Sequence, residues 1–253
     1  MLKLISYLAP SIPAGLYETV ATAIRELMGM EVDLQFEERI SGPLQGDENP
    51  FTTGKADLGF VCAPTYRSFY KSLQLLPSPV PTDPRSGGKA VYFSDIVVAS
   101  DARLDSIADL RGQRLAYNDL NSHSGWFCVR DYIHPESPDM YFSGVFQSGS
   151  HLNSLSMVLD SRADAAGIDS NALRYYRSKN SSVPLKVIDT LGPFPIQPVV
   201  IRSDMDRPTM MAVRQVLFDL HQQHGKTLNQ FGFERFVDTR PEQYLYSARD
   251  VVT

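Results

Sequence analysis

The chain has 253 residues, 43% of them hydrophobic and 21% charged, with a formal net charge of −5. That length holds one large domain or two lobes of ordinary size, and the apolar share suffices for a packed core. The acidic balance, without a basic run anywhere, argues against a nucleic-acid or anionic-membrane surface, and no apolar stretch is long enough to insert into a bilayer.

From Lys3 to Leu8 a short apolar strand leads through a Pro- and Ser-containing loop to a helix in which Leu16, Val20, Ile24 and Leu27 recur at helical spacing. Met1 to Tyr7 reads as that first strand and is too short in its apolar run for a secretory leader, so a cytoplasmic location is expected unless a leader was removed. Val32, Leu34 and Phe36 alternate as in a half-buried strand, which completes a strand–helix–strand unit and predicts a parallel pair. Ile40 to Lys55 reads as loop. Leu58 to Cys62 is an apolar run of strand length, and Ala63-Pro64-Thr65-Tyr66 opens a helix. Tyr66 either faces a cleft and donates to an anion or packs its ring in the core. Pro77 to Gly88, with four prolines and two glycines, predicts an irregular excursion.

Tyr92 to Ala99 is strongly strand-like, with Tyr92 readable as a cross-strand aromatic. A short helix over Ser106 to Leu110, a turn at Gly112 and a strand from Arg114 to Tyr117 follow. The next stretch, Tyr117-Asn118-Asp119-Leu120-Asn121-Ser122-His123-Ser124-Gly125-Trp126, reads as strand end, polar loop and helix start. Such a junction offers backbone N–H groups, the positive end of a helix dipole and the hydroxyls of Ser122 and Ser124 to an anion. The structural alternative is that one of the two serines is only the N-cap of the helix Gly125 to Ile133.

Val145 to Gln147 reads as a strand, and Ser148-Gly149-Ser150-His151 leads into a helix with Leu152, Leu155, Val158 and Leu159 on one face. His151, at that helix's first turn, is a candidate donor to an anion or simply a polar residue of the cap. Ala165 to Ile168 is a short strand, and Asp169 starts the next helix, where it is a good N-cap. In a binding role Asp169 would repel an anion that carries no proton or amine, and so would select protonated oxyanions or aminophosphonates against sulfate. Leu185 to Asp189 and Pro198 to Arg202 form a further strand pair separated by a loop. An amphipathic helix from Arg207 to His224 and a last helix over about Pro241 to Asp250 close the chain. His221 and His224 stand at i and i+3, but with no third ligand suggested they read as a solvated helix end. Cys62 and Cys128 lie in apolar stretches without metal-like spacing and read as buried thiols, a disulfide being the alternative. No repeat, low-complexity segment or P-loop is present, and no cofactor or metal is expected.

Four segments in order resemble one family. Ser122-His123-Ser124-Gly125-Trp126 is similar to the Ser-Thr-Ser-Gly-aromatic loop of the substrate-binding proteins of phosphonate, phosphite and phosphate ABC transporters. Ala56 to Val61 running on to Pro64-Thr65-Tyr66, Ser106 to Ala116, and Gly149-Ser150-His151 with Asp164 to Ser170 resemble further segments of the same family. The resemblance implies an α/β, two-lobed type 2 periplasmic-binding-protein fold, each lobe a mixed sheet flanked by helices, joined by a two-strand hinge. Lobe 1 would comprise residues 1–93 and 198–253, and lobe 2 residues 94–197, inserted. Function would be binding of a small phosphorus oxyanion by a monomer that delivers it to an ABC permease. Ser122, His123, Ser124, Gly125 and Trp126 would grip from the second lobe, Tyr92 from the hinge and Tyr66 from the first lobe, with His151 and Asp169 reading protonation or an attached group. His123 stands where the family has threonine and Trp126 where tyrosine is common. An enzyme or a ligand sensor on the same scaffold, acting on a small metabolite, is the alternative. No nucleophile with an assigned base supports catalysis.

Overall fold

The computed structural model describes residues 1–37 and 41–245. In chain order the elements are β1 (Leu2–Ser6), α1 (Ala14–Met28), β2 (Val32–Phe36), β3 (Leu58–Phe60), α2 (Ala63–Phe69), β4 (Leu73–Leu76), β5 (Ser78–Pro81), β6 (Val91–Ala99) and β7 (Arg114–Tyr117). They continue with α3 (Cys128–Ile133), α4 (Pro138–Tyr141), β8 (Gly144–Gln147), α5 (His151–Leu159), β9 (Ala165–Asp169), α6 (Ser170–Lys179), β10 (Leu185–Pro195), β11 (Val199–Arg202), α7 (Arg207–Gln230), β12 (Phe233–Val237) and α8 (Pro241–Leu245). The chain divides into two compact units, one of Met1–Val91 with Pro195–Leu245 and one beginning at Tyr92 and running to Phe194.

The first unit is built on a five-stranded sheet in the order β2-β1-β3-β11-β4. Strands β2 and β3 run parallel to β1, while β11 returns antiparallel to both β3 and β4. Helix α1 buries Leu16, Tyr17, Val20, Ala21 and Ile24 and stops where Gly29 takes a left-handed conformation. Tyr66 lies here with its ring packed edge-on against Tyr244 at 5.4 Å, within a core that includes Ile5, Phe51, Val61 and Val200. Burial, and secondly the Glu242 carboxylate, hold its phenol above the usual range. Of the two readings of Tyr66, core packing is the one its ring adopts.

The second unit has its own mixed sheet in the order β10-β6-β9-β7-β8. Strand β7 runs parallel to β8 and β9, whereas β6 is antiparallel to β9 with Ser94 opposite Asp169. One face packs Ile96, Val98, Leu110, Leu115 and Ile133, the other Val97, Ala116, Leu155, Val158 and Leu173, so alternate residues of β6 serve two cores. Both cysteines are buried thiols.

Several expectations need correction. The proline-rich run is not wholly irregular: Ser78–Pro81 forms β5, paired antiparallel with β12 in a two-stranded sheet. A strand with a single neighbour can carry prolines, because only one side needs its N–H groups. Strand β12 itself and β4 escaped the sequence reading. Strand β10 continues through Gly192, Pro193 and Pro195, where a loop was expected. Helix α7 runs on to Gln230, with a kink at His224 (φ −115°, ψ 16°). His221 there bonds through Nδ1 to the Phe218 carbonyl at 2.8 Å, and His224 stands 3.9 Å from the Glu26 carboxylate. The expected last helix is observed over Pro241–Leu245; its remainder, like Ile40 of the expected loop, lies outside the described residues.

Candidate functional site

Parallel strands place their carboxyl ends, and the loops that follow, at one edge of a sheet. In the second unit β7, β8 and β9 each lead into a helical segment at that edge: the turn starting at His123, α5 at His151 and α6 at Ser170. The antiparallel β6 begins there, which brings Tyr92 and Ser94 to the same place. Four chain segments distant in sequence thus meet at one rim, three of them with the amide-bearing ends of helices.

The loop after β7 opens not with an α-helical turn, as expected from Gly125 onward, but with a π-helical one over His123–Phe127 that continues into α3. Ser122 is its N-cap: Gly125 N–H donates to Ser122 Oγ (3.1 Å), and Trp126 and Phe127 N–H donate to the Ser122 carbonyl (3.3 and 3.1 Å). Capping therefore accounts for Ser122, and it leaves Ser124 for other work. The Ser124 hydroxyl lies 3.1 Å from His151 Nε2.

His151 is buried at the first turn of α5, whose cap is Ser150 accepting from Asn153 N–H at 3.1 Å. Burial pulls its imidazole down to about 4, against the opposing pull of the Gly167 carbonyl, so the ring is neutral at pH 7. A neutral ring has one N–H to share between the Ser124 and Gly167 sides.

Asp169 caps α6: its Oδ1 accepts from Asn171 N–H at 2.7 Å and from Ala172 N–H at 3.4 Å. Beside it Phe93 N–H donates to Ser170 Oγ at 3.1 Å, fastening the start of β6 to the start of α6. His123 is buried against aromatic rings, edge-on to Phe194 at 4.7 Å and tilted to Tyr92 at 6.4 Å. Trp126 is half-buried with its indole on the Tyr117 ring at 4.4 Å. Ser122, His123, Ser124, Gly125, Tyr92, His151 and Asp169 are thus gathered at one rim, with Trp126 packed on the strand behind it. Tyr66 belongs to the core of the other unit.

Three residues that sequence reasoning passed over hold this loop in place. Ser94 Oγ donates to the Ser124 carbonyl at 2.7 Å. Gly167 leaves room for that carbonyl, since a Cβ there would stand 2.8 Å from the Ser124 oxygen. Asn118 fills the space over Gly125, where a Cβ would meet its Oδ1 at 1.9 Å. Gly125 is thus demanded by a close approach, not by an unusual backbone angle. A lone serine in the apolar β6 and a lone glycine in the apolar β9 were the available signals, because a strand-interior glycine marks close backbone approach.

Among solved structures, a binding-protein component of an ABC phosphonate transporter from Pseudomonas aeruginosa superposes with a TM-score of 0.79 at 17% identity, covering 96% of this chain and 82% of its own. PhnD1 from Prochlorococcus marinus, solved in complex with methylphosphonate, gives 0.75 at 17% identity over 96% and 94% of the two chains. A protein from Xanthomonas citri bound to ATP gives 0.66 at 17% identity over 96% and 92%. No curated protein matches the chain. The architecture is the type 2 periplasmic-binding-protein fold, α/β with two mixed five-stranded sheets flanked by helices. Residues 4–244 match the family model for periplasmic substrate-binding proteins of phosphonate ABC transporters, and the chain belongs to that family.

Proposed function

We propose that this chain binds a small phosphorus oxyanion, a phosphonate, phosphite or phosphate, at the rim of its second unit, as the binding component of an ABC-type uptake system. The observation that carries this reading is the pairing of Ser124 with the neutral His151 at a rim where three helix starts meet. Helix amides supply partial positive charge to ligand oxygens without a net cation.

The Ser124–His151 pair adds adaptability. With the imidazole proton on Nε2, His151 donates to Ser124 and the serine hydroxyl donates outward to an ionised oxygen. With the proton on the other nitrogen, Ser124 donates to His151 and its lone pairs accept from a ligand O–H. A pair that can present either a donor or an acceptor suits an oxyanion that keeps a proton, as a phosphonate monoanion does. Sulfate keeps none near neutral pH, and the Asp169 carboxylate at the same rim adds repulsion against it.

A hydrolytic reading would make Ser124 the nucleophile and His151 its base. An imidazole held near 4 is a weak base at neutral pH, which disfavours that reading. The test is a thermal-shift panel on dialysed protein with methylphosphonate, 2-aminoethylphosphonate, phosphite, phosphate and sulfate. Ligand at a hundred times its Kd adds about 2.7 kcal/mol of stability, a visible shift. A shift with a phosphorus oxyanion and none with sulfate supports the proposal; no shift with any of them refutes it.

A further inference from the structure

Asn171 occupies the second position of α6, between the capping Asp169 and the body of the helix. The residue is 5% exposed, and its side-chain Nδ2 is buried yet meets no acceptor among the described residues. A buried amide donor without a partner costs roughly 1–3 kcal/mol, so a folded chain retains one only where something else repays the cost. Its backbone N–H is already used, donating to Asp169 Oδ1 at 2.7 Å, which leaves the side-chain NH2 as the open donor.

Helical side chains lean toward the N-terminus and cover the turn before their own Cα, so a residue at this position lies over the mouth of its helix. That mouth follows β9, and β9 ends at the rim shared with Ser124 and His151. Asn153 Nδ2, near the start of α5, is by contrast already engaged, donating to the Ser148 carbonyl at 2.8 Å.

We infer that the Asn171 carboxamide is a ligand-binding group of this site, donating from Nδ2 to an oxygen of the phosphorus oxyanion from the α6 side. The inference rests on the function proposed above and extends it. An amide donor beside the Asp169 carboxylate lets the α6 mouth hold one ionised oxygen and one protonated oxygen of the same ligand, which narrows the substrate class to singly protonated oxyanions.

Calorimetric titration of methylphosphonate into wild type, Asn171→Ala and Asn171→Asp tests it. Removing one donor to a charged oxygen should weaken binding about tenfold or more, and the aspartate, which puts a second carboxylate at the mouth, should weaken it further. Folding of each variant is checked by its ligand-free melting temperature. Nitrogen-15 NMR supplies a second readout in the wild-type protein: the Asn171 side-chain NH2 signal, identified by its absence from Asn171→Ala, should move on ligand addition. Wild-type affinity in both variants, or an unmoved NH2 signal at saturation, overturns the inference while leaving the oxyanion site standing. A wild-type protein that binds no oxyanion overturns both.

Discussion

Ser124 Oγ and His151 Nε2 lie 3.1 Å apart although 27 positions separate them in the chain. The contact exists because parallel pairing of β7 with β8 brings the two following helix starts side by side. Ser124→Ala removes the hydroxyl without enlarging the space much. Ligand-free stability should fall by about 1 kcal/mol, the net worth of one buried hydrogen bond. Methylphosphonate affinity should fall at least tenfold, measured by calorimetry against the wild type.

Acid should destabilise the protein through His151. Its folded-state value of about 4 lies below the ordinary 6.5, so as pH falls the unfolded chain takes up the proton first. The stability linked to this residue is whole above about pH 6.5 and lost progressively toward pH 4. Between pH 7.5 and pH 5 the loss from this group alone should be about 2 kcal/mol. Urea denaturation at the two pH values should show that loss in the wild type and lack it in His151→Gln, which does not titrate. Equal losses in the two proteins would show that His151 is not the group responsible.

Gly167→Ala should damage the site from behind. The new Cβ would stand 2.8 Å from the Ser124 backbone oxygen, and backbone, unlike a flexible side-chain end, has little room to yield. Overpacking of this kind costs about 1–3 kcal/mol. Because the displaced atom belongs to Ser124 itself, ligand affinity should drop more than stability alone explains. Ser94→Ala makes the complementary test: it strands the Ser124 carbonyl that Ser94 Oγ satisfies at 2.7 Å, at a cost of about 1–3 kcal/mol.

Asp169→Asn separates capping from selectivity. The asparagine oxygen can still accept from Asn171 N–H and Ala172 N–H, so the melting temperature should change little. If the carboxylate excludes fully ionised anions, sulfate binding should appear in this variant. Its continued absence would remove Asp169 from the selectivity mechanism.

Much of this site could be read from the chain because it is made of local grammar. A serine followed by glycine at a strand-to-helix junction, a histidine at a helix start and an aspartate before a helix each announce a helix N-terminus. What could not be read was how those starts are held. Ser94 and Gly167 act on Ser124 only through the β6–β9 register and the seating of the loop against β9, neither of which periodicity reveals. Asn171 looked like an ordinary early-helix residue, since burial without a partner is a tertiary fact. For Tyr66 the chain left cleft and core open, and its ring contact with Tyr244, far along the chain, is a tertiary fact that no local motif announces. Strand β5 was hidden by its prolines, which mark turns far more often than they mark an edge pairing.

The most direct test of the oxyanion site is calorimetric titration of exhaustively dialysed protein with methylphosphonate and, separately, with sulfate. Saturable one-to-one binding of methylphosphonate, lost in Ser124→Ala and absent with sulfate, is the expected result. No saturable heat from methylphosphonate, phosphite or phosphate at millimolar concentration would mean that the Ser122–Ser124 loop only caps a helix and that the rim serves another ligand.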